Sequence, residues 1–446
     1  MKRYEAYKDS GIEWIGEIPE HWKLKKIKHT TYVKGRIGWQ GLRSEEFQEE
    51  SECYVVTGTD FKNGKVNWKT CYQVTMERYN EDPYIQLRDN DLLITKDGTI
   101  GKIALVKNIP KETTLNSGIF VVRPIDNAYI TEYMYWILNS NIFTSFYNFN
   151  KSGSTIQHLY QNVFNEFQFP CPALSEQQTI ANYLERKTSE INSLIVKKKH
   201  LISLLQEERT AIINQAVTKG INPNGKLKDS GIEWIGEIPE HWWIVPVRRL
   251  IDVRDGTHET PPFINSKGGI PLITSKDFKN GEIVFNNVKL ISIEDHLDIS
   301  KRSGVTKGDV LMSMIGGNIG KSVLVGDNDQ FSIKNVALFR THNSLSMAKF
   351  LRYYFESTLL DRQIELKSRG GAQGFLSLGD IRNLIFFKIP EDELKSIVIF
   401  LDKKTSQIDN IITETKKEIE LLEEYRTSLI SDVVTGKLDV KEEVVN

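Results

Sequence analysis

The chain has 446 residues, 39% of them hydrophobic and 26% charged, so it is long enough to bury at least two sizeable cores. Its formal net charge of -1 argues against a globally basic nucleic-acid binder, and the lack of any apolar run of about eighteen residues argues against a membrane span. Three cysteines without a CxxC pair are typical of reduced core thiols, so the composition predicts a cytoplasmic protein of two or three domains.

The first element is a leader over residues 1–22. Its string KDSGIEWIGEIPEHW, residues 8–22, returns letter for letter at residues 228–242. Further matches at a similar shift are DFKNG at 60–64 and 277–281, and IGK at 100–102 and 319–321. Self-matches at a shift of about 217 to 220 residues, which drifts by only a few residues, mean that the chain is a single unit of about 220 residues present twice.

Residues 23–173 form the first predicted globular domain. Short β-rich runs such as Cys53–Val56 and Ile119–Val122 alternate with turn signals such as Lys62-Asn63-Gly64. An aromatic helical stretch follows near residues 130–147. This mixture predicts an α+β domain.

Residues 174–218 are predicted to form a long central helix. The segment 175–217 lacks proline and glycine, and its apolar residues recur at alternating steps of three and four, which is typical of supercoiled helices. We place the seam at Ile180, Leu184, Ile191, Leu194, Leu201, Leu205 and Ile212. At about 1.5 Å per residue, the helix is on the order of 65 Å long and needs a partner to cover its apolar stripe.

The second copy repeats this order. Its segments are 219–242 for the linker and second leader, 243–390 for the second globular domain, 391–436 for the C-terminal helix and 437–446 for the tail. Its seam is expected at Ile397, Leu401, Ile408, Ile411, Leu422, Leu429 and Val433. The predicted fold class is therefore α+β, with two pseudo-twofold-related globular domains joined by two long antiparallel coiled-coil helices.

Each helix carries apolar residues beside its seam. They are Ile195, Ile202 and Ile213 in the first helix and Ile412, Ile419 and Ile430 in the second. A coiled coil does not need so wide a stripe. Two interpretations stay open: this surface packs on the chain's own globular domains, or it docks the helices of another protein.

The duplicated leader is apolar enough to act as a plug. Its candidate contact residues are Trp14, Ile18 and Trp22 in the first copy and Trp234, Ile238 and Trp242 in the second. Three explanations for the duplication stay open: packing on its own domain and helices, contact with two copies of one partner, and recombination between two similar half-genes. Under each of them, pseudosymmetry predicts that the first leader lies near the end of the second helix and brings the chain termini together.

Two globular units, each preceded by SGIEWIGEIPEHW and followed by a long helix that ends like LLEEYRTSLISDVVTGKL, resemble the specificity subunits of type I restriction-modification systems over essentially the whole chain. The segment Arg254–His258 with Thr260-Pro261-Pro262 resembles the opening of many second-half recognition domains in that family. The resemblance implies two target recognition domains, each reading one half of a split site in double-stranded DNA, and two spacer helices. It also implies two copies of an adenine-N6 methyltransferase subunit and, for cleavage, restriction subunits with motor activity.

The repeat leads to the same expectation by geometry. Two similar modules at a fixed separation suit two half-sites on one face of a duplex, about 34 Å or one helical turn apart. Because the two globular segments differ outside their shared framework, they should read different sequences. The predicted site is therefore bipartite and asymmetric.

Three stretches resemble functional motifs without matching them. Thr260-Pro261-Pro262-Phe263 departs at its first position from the base-binding loop of amino-methyltransferases. A P-loop ending at Gly320-Lys321-Ser322 would need glycine where Ile315 stands, and residues 35–41 have only GxxGxxG spacing. We therefore expect a non-catalytic chain without metal or cofactor. The resemblance implies that S-adenosylmethionine, ATP and Mg²⁺ bind the partner subunits. The alternatives are a single-chain methyltransferase or nuclease with built-in specificity, and a coiled-coil scaffold.

Candidate DNA contacts are basic and amide side chains on glycine-containing loops, because these side chains bind base edges and phosphates. In the first domain they are Arg36, Trp39, Gln40, Lys62, Lys96, Lys102, Lys151, Ser152, Ser154 and Gln157. In the second domain they are Arg254, His258, Lys276, Lys279, Asn318, Lys321, Lys367, Arg369 and Gln373. The alternative for each is an exposed polar side chain in contact with water alone.

Overall fold

The computed structural model describes residues 2–36, 41–150, 158–265, 268–279, 281–326, 330–342, 344–367 and 374–441. The chain divides into two compact units, each with one globular domain and parts of two long helices. Unit 1 comprises Met1–Lys198 and Lys417–Asn446, and unit 2 comprises Lys199–Lys416. Within the described ranges, no helix is long and apolar enough to cross a membrane.

Unit 1 begins with the leader and ends in the first long helix. Its strands are β1 (Tyr7–Asp9), β2 (Glu17–Pro19), β3 (Lys23–Lys26), β4 (Thr31–Lys34), β5 (Cys53–Val56), β6 (Phe61–Lys62), β7 (Lys65–Val66), β8 (Tyr72–Val74), β9 (Leu92–Thr95), β10 (Ile103–Leu105), β11 (Thr113–Leu115), β12 (Ile119–Pro124) and β13 (Gln168–Cys171). Its helices are α1 (Ile27–Thr30), α2 (Met76–Asn80), α3 (Thr131–Leu138), α4 (Asn141–Asn150), α5 (Gln161–Asn165) and the start of α6 (Leu174–Lys219).

The globular domain of unit 1 is built from two sheets. One has the strand order β4-β12-β9-β10-β7-β6, and the other has the order β11-β5-β8. The central strands β9 and β12 are apolar almost without alternation because both of their faces are buried. The two sheets share a core to which Val56, Leu93, Leu115 and Val121 contribute.

Unit 2 repeats this plan. Its strands are β14 (Leu227–Asp229), β15 (Glu237–Pro239), β16 (Trp243–Pro246), β17 (Asp252–Asp255), β18 (Ile270–Ile273), β19 (Phe278–Lys279), β20 (Glu282–Ile283), β21 (Lys289–Ile291), β22 (Val310–Ser313), β23 (Ser322–Leu324), β24 (Ser332–Ile333), β25 (Val336–Arg340) and β26 (Ile385–Lys388). Its helices are α7 (Ile293–Ser303), α8 (Leu345–Phe355), α9 (Thr358–Lys367), α10 (Leu378–Arg382) and the start of α11 (Glu391–Val434).

The sheets of unit 2 correspond strand by strand to those of unit 1. The orders are β17-β25-β22-β23 and β21-β18-β24, with the hairpin β19-β20 as a separate pair. In both units the leader forms a two-stranded hairpin, and the strand after it pairs with the strand before the long helix. The predicted α+β class is confirmed for both units.

The long helices pack in antiparallel pairs inside each unit. In unit 1, Arg426 donates a hydrogen bond to Asn192 Oδ1, and Lys198 Nζ lies 2.5 Å from Glu418 Oε2. Residue numbers increase along α6 in the direction in which they decrease along α11, so the two helices are antiparallel. In unit 2, Arg209 Nε lies 3.1 Å from Asp409 Oδ1. Each unit therefore contains its own section of paired helices.

The seam of these pairs follows a regular heptad pattern in which some positions are polar. Buried or half-buried seam residues of α6 are Leu184, Thr188, Ile191, Ile195, Lys198, Ile202, Leu205, Arg209, Ile212 and Ala216. Those of α11 are Leu401, Thr405, Ile408, Ile412, Thr415, Ile419, Leu422, Arg426, Leu429 and Val433. The hydroxyls of Thr188 and Thr405 donate to the carbonyls of Leu184 and Leu401, four residues earlier.

The predicted seam is wrong at three positions. Leu194, Leu201 and Ile411 are 43%, 42% and 45% exposed. Ile195, Ile213, Ile412, Ile419 and Ile430, which were expected beside the seam, are buried, and Ile202 is half-buried. The reason is that threonine, lysine and arginine occupy several of the actual seam positions. A prediction that accepts only apolar residues therefore assigns neighbouring apolar residues to the seam instead.

Candidate nucleic-acid and partner interfaces

Two lysines lie on equivalent hairpins of the two domains. Lys62 ends β6, and the Asn63-Gly64 turn that follows has positive φ at both residues, as a two-residue hairpin requires. Lys279 ends β19 in the same position of unit 2. Both lysine side chains are exposed, so both are available to an anionic ligand.

The two IGK turns also present an exposed lysine each, Lys102 and Lys321. The backbone amides around them are already bonded within the chain: Lys102 N–H donates to Thr95 Oγ1 at 2.9 Å, and Gly320 N–H donates to Ser313 O at 3.1 Å. The turns therefore do not offer these amides to a phosphate. Among the described side chains of these two turns, Lys102 and Lys321 remain as candidate contacts.

A cavity of about 560 Å³ opens beside Lys321 in unit 2. Arg209 and Arg352 line it together with Glu356 and Asp409. Arg209 Nη1 lies 2.7 Å from Glu356 Oε2, so these carboxylates neutralise the cavity's guanidinium groups. The cavity is therefore not an anion site.

Arg36 lies inside the first domain, which differs from its expected role as a reader of bases. Its side chain is 2% exposed, Nε donates to Leu115 O at 2.8 Å, and Nη2 donates to Thr114 Oγ1 at 3.1 Å. Burial lowers the pKa of the guanidinium, and the neighbouring Arg78 lowers it further. Arg36 holds β11 in place, and its Nη1, which makes no hydrogen bond with a described residue and lies 3.7 Å from Glu81 Oε2, is buried out of reach of a base edge.

Lys96 is also largely enclosed. Its side chain is 13% exposed, Nζ lies 3.2 Å from Asp97 Oδ2, and the ammonium lies 5.5 Å from the centre of the Phe120 ring. His158 hydrogen-bonds the same Asp97. In the sequence, His158 directly follows residues 151–157, which contain several predicted contacts and lie outside the described residues.

In unit 2, strand β17 and the loop after it carry the predicted contacts Arg254 and His258. Arg254 Nη2 lies 2.7 Å from Asp252 Oδ2. His258 Nε2 lies 3.0 Å from the buried carboxylate of Asp255, and its Nδ1 lies 2.9 Å from Asn335 Oδ1. His258 therefore holds the start of the segment 256–265 against the sheet and remains partly exposed, whereas Arg254 pairs along its own strand β17.

The same loop presents a surface that the sequence reasoning missed. The Phe263 ring is 50% exposed, and Lys289 Nζ lies 5.6 Å above it. At the equivalent edge of unit 1, Phe47 stacks on Tyr72 with ring centres 5.3 Å apart. Only the pairing of distant segments, Gln48 with Gln73 and Ile264 with Leu290, brings these side chains together, so no local signal could have found them.

The remaining candidates divide into two groups. Lys276 is exposed, and Lys367 is half-buried at the end of α9. The others lie outside the described residues: Trp39, Gln40, Lys151, Ser152, Ser154, Gln157, Arg369, Gln373 and the side chain of Asn318.

The apolar side chains of each leader pack into the core of their own unit. Trp22 and Trp242 are fully buried, and Ile18 and Ile238 are each 1% exposed. Trp242 Nε1 donates to Glu393 Oε2 at 3.1 Å, in the first turn of α11. Most of the predicted leader contact residues are therefore occupied by packing within this chain, and Trp14 and Trp234 are half-buried.

The predicted meeting of the first leader with the end of the second helix is confirmed. Tyr7 Oη donates to Gly436 O at 3.0 Å, and the N–H of Asp439 donates to the carbonyl of Lys2 at 3.0 Å. Glu176, in the first turn of α6, accepts from Tyr4 Oη at 2.8 Å. Lys2 and Asp439, which lie near the two ends of the sequence, thus meet in unit 1.

Metal-binding clusters and reactive cysteines are two features that can be checked among the described residues. No three His, Cys, Asp or Glu side chains among them come close enough to hold a metal ion. The three cysteines are buried, and burial beside Asp60 raises the pKa of the Cys71 thiol to about 12. A thiol with so high a pKa is a poor nucleophile at neutral pH.

Comparison with known proteins places this architecture in one family. The model of the type I restriction modification DNA specificity domain matches residues 22–203 and again residues 239–421. The chain is 25% identical over 434 residues to the type I restriction enzyme MjaVIII specificity subunit of Methanocaldococcus jannaschii, covering 95% of this chain and 94% of that protein. It is 24% identical over 362 residues to the EcoBI specificity subunit of Escherichia coli, covering 78% of this chain and 73% of that protein.

Solved structures share the fold. One, which describes complex assembly and conformational transition of the type I R-M system, has a TM-score of 0.71 at 17% identity and covers 94% of this chain and 99% of its own. The HsdS subunit from Thermoanaerobacter tengcongensis has a TM-score of 0.57 at 17% identity and covers 94% of this chain and 98% of its own. The family model of the specificity domain matches this chain twice, and the two matches together cover most of the chain. This chain therefore belongs to the family of type I restriction-modification specificity subunits.

Proposed function

We propose that each globular domain reads one half of an asymmetric, bipartite DNA site and that the paired helices set the separation of the halves. The chain performs no chemistry itself. It positions two copies of an adenine-N6 methyltransferase subunit and, for cleavage, the restriction subunits of the same system. Because the ligand of the chain is DNA, it would act in the cytoplasm.

One observation carries this proposal: the same scaffold occurs twice with different chemistry at equivalent surface positions. Phe47 and Tyr72 in unit 1 correspond to Phe263 and Lys289 in unit 2. Lys102 and Lys321 stay the same and are exposed in both units. Shared lysines suit phosphate contacts, which carry no sequence information, whereas the differing residues suit different base sequences.

The partner subunits would supply the cofactors. S-adenosylmethionine would bind the methyltransferase subunits, and ATP with Mg²⁺ would bind the restriction subunits. Apolar residues that stay exposed on the long helices are candidate contacts with partner helices. They are Leu174, Leu194, Val196, Leu421 and Tyr425 in unit 1, and Leu201, Leu204, Ile399 and Ile411 in unit 2.

Reconstitution tests the proposal. The purified chain is incubated with DNA and labelled S-adenosylmethionine, alone and with the methyltransferase subunit of its own system. We expect N6-methyladenine only in the mixture, at a two-part motif with unequal halves. Methylation by the chain alone would support the alternative of a single-chain methyltransferase and overturn the proposal.

A further inference from the structure

Burial divides the duplicated leader string into an inward and an outward part. The inward residues Ile15, Ile18 and Trp22 are at most 2% exposed, and Ile235, Ile238 and Trp242 are at most 8% exposed. Packing on the chain's own domain explains why these positions are the same in both copies. It does not explain the outward positions, because exposed residues of a self-packed segment contribute little to stability and are free to differ.

The outward part has an aromatic centre in each unit. The half-buried Trp14 ring lies 5.3 Å from the ring of Phe149, which is 67% exposed on α4. In unit 2, Trp234 is also half-buried, and Leu366, which corresponds in sequence to Phe149, is 59% exposed. The first leader therefore has uncovered apolar area of Trp14 and Phe149 beside it, and the second leader has that of the half-buried Trp234.

Identical carboxylates flank this centre. We call Glu13, Trp14, Glu17 and Glu20, and separately Glu233, Trp234, Glu237 and Glu240, the leader faces. All six glutamates are exposed, and none of their carboxylates makes an ion pair or a hydrogen bond with another described residue. The nearby His21 and His241 are already paired with Glu176 and Glu393.

The negative charge of the leader faces indicates which class of ligand can bind them. Three unpaired carboxylates repel DNA phosphates, so a leader face does not suit DNA. They attract lysine and arginine, and a tryptophan at the centre of a charged rim is typical of the residues that dominate binding between proteins. The chemistry that fits is a basic protein surface with an apolar depression at its centre.

We propose that each leader face docks the same basic, lysine- or arginine-bearing surface of a protein partner, so that one copy binds each unit. The inference rests on the proposed function, in which that partner is the methyltransferase subunit. It explains why exposed glutamates recur letter for letter although no contact inside the chain requires them.

Charge reversal of one face at a time tests this. The variants are E13K/E17K in unit 1, E233K/E237K in unit 2, and all four together. The control is E49K/E50K, which reverses two exposed glutamates of unit 1 outside the leader. Analytical ultracentrifugation with the methyltransferase subunit, at about 0.1 M salt to limit screening, measures the mass of the complex.

We expect two bound copies for the unmodified chain and the control, one for each single-face variant, and none for the fourfold variant. W14A/W234A, which keeps the charge, should weaken binding at least tenfold. Unchanged melting temperatures of the variants would show that the fold is intact.

The outcomes separate the two proposals. If the unmodified chain recruits no methyltransferase subunit, the proposed function fails. If it recruits two copies and the fourfold variant still binds both with unchanged affinity, only the leader-face inference fails. If charge reversal changes the mass of the chain without any partner, the face binds a second copy of this chain and the inference is overturned.

Discussion

Gly436 shows how one residue joins the two ends of unit 1. It follows α11 with a φ of +74°, and a Cβ there would lie 2.3 Å from Pro19 Cδ and 3.1 Å from Trp22. A left-handed backbone and a close neighbour both favour glycine. We expect G436A to destabilise unit 1 by about 2 to 4 kcal/mol, from backbone strain and overpacking. G16A, with φ +70° and open space around it, should cost only about 1 kcal/mol. Urea unfolding measures both, and equal losses would contradict the close packing.

Glu176 links stability to pH at the same place. Burial opposes ionisation of this carboxyl, but hydrogen bonds from Tyr4 and His21 and the charge of Lys441 hold its pKa below the ordinary value. A pKa lowered in the folded state stabilises the fold above about pH 4.3, the unfolded value, and this stabilisation is lost as the pH falls through the folded-state pKa. E176Q should therefore reduce the free energy of unfolding at pH 7 and have a smaller effect at pH 3. Chemical denaturation at the two pH values checks this, with the exposed E49Q as the control. A loss at pH 3 as large as at pH 7 would contradict the role of the charge.

At the scale of the element, polar residues occupy several heptad positions of the helix seam that are usually apolar. The hydroxyls of Thr188 and Thr405 donate hydrogen bonds to backbone carbonyls of the preceding helical turn. Arg209 forms ion pairs with Glu356 and Asp409. Arg426 occupies the same heptad position as Arg209 but bonds the amide of Asn192. Because the threonine hydroxyls bond within their own helix and the arginines find partners on the facing helix, the heptad continues without a break.

The seam assignment predicts opposite results for two neighbouring residues. Ile195 is 5% exposed and Leu194 is 43% exposed. I195K should destabilise unit 1 by at least about 3 kcal/mol because it places a charge between the helices. L194K should change the stability of the isolated chain by no more than about 0.5 kcal/mol. Thermal and urea unfolding of the two variants compare them directly, and similar losses would mean that the seam has been assigned to the wrong face.

At the scale of the whole molecule, duplication is the organising feature. Each unit contains its own leader, its own pair of sheets and its own section of paired helices. Because each domain is complete within its unit, exchanging residues 23–173 for the corresponding domain of another family member should leave unit 2 intact. Mapping N6-methyladenine after reconstitution should then show one changed half-motif and one unchanged half-motif. A change in both halves would contradict independent reading by the two domains.

The sequence by itself determined the duplication, the α+β class, the two long helices, the meeting of the first leader with the end of the second helix, and the family. These features rest on repeated or locally periodic patterns, which are visible without knowing any distant contact. Only the tertiary structure decided which face of each helix is inside, that Arg36 is buried against Thr114 and Leu115, and that Phe263 lies under Lys289. Such facts depend on pairs of residues far apart in the chain, where the partner that satisfies a polar group or covers an apolar one cannot be read from its neighbours.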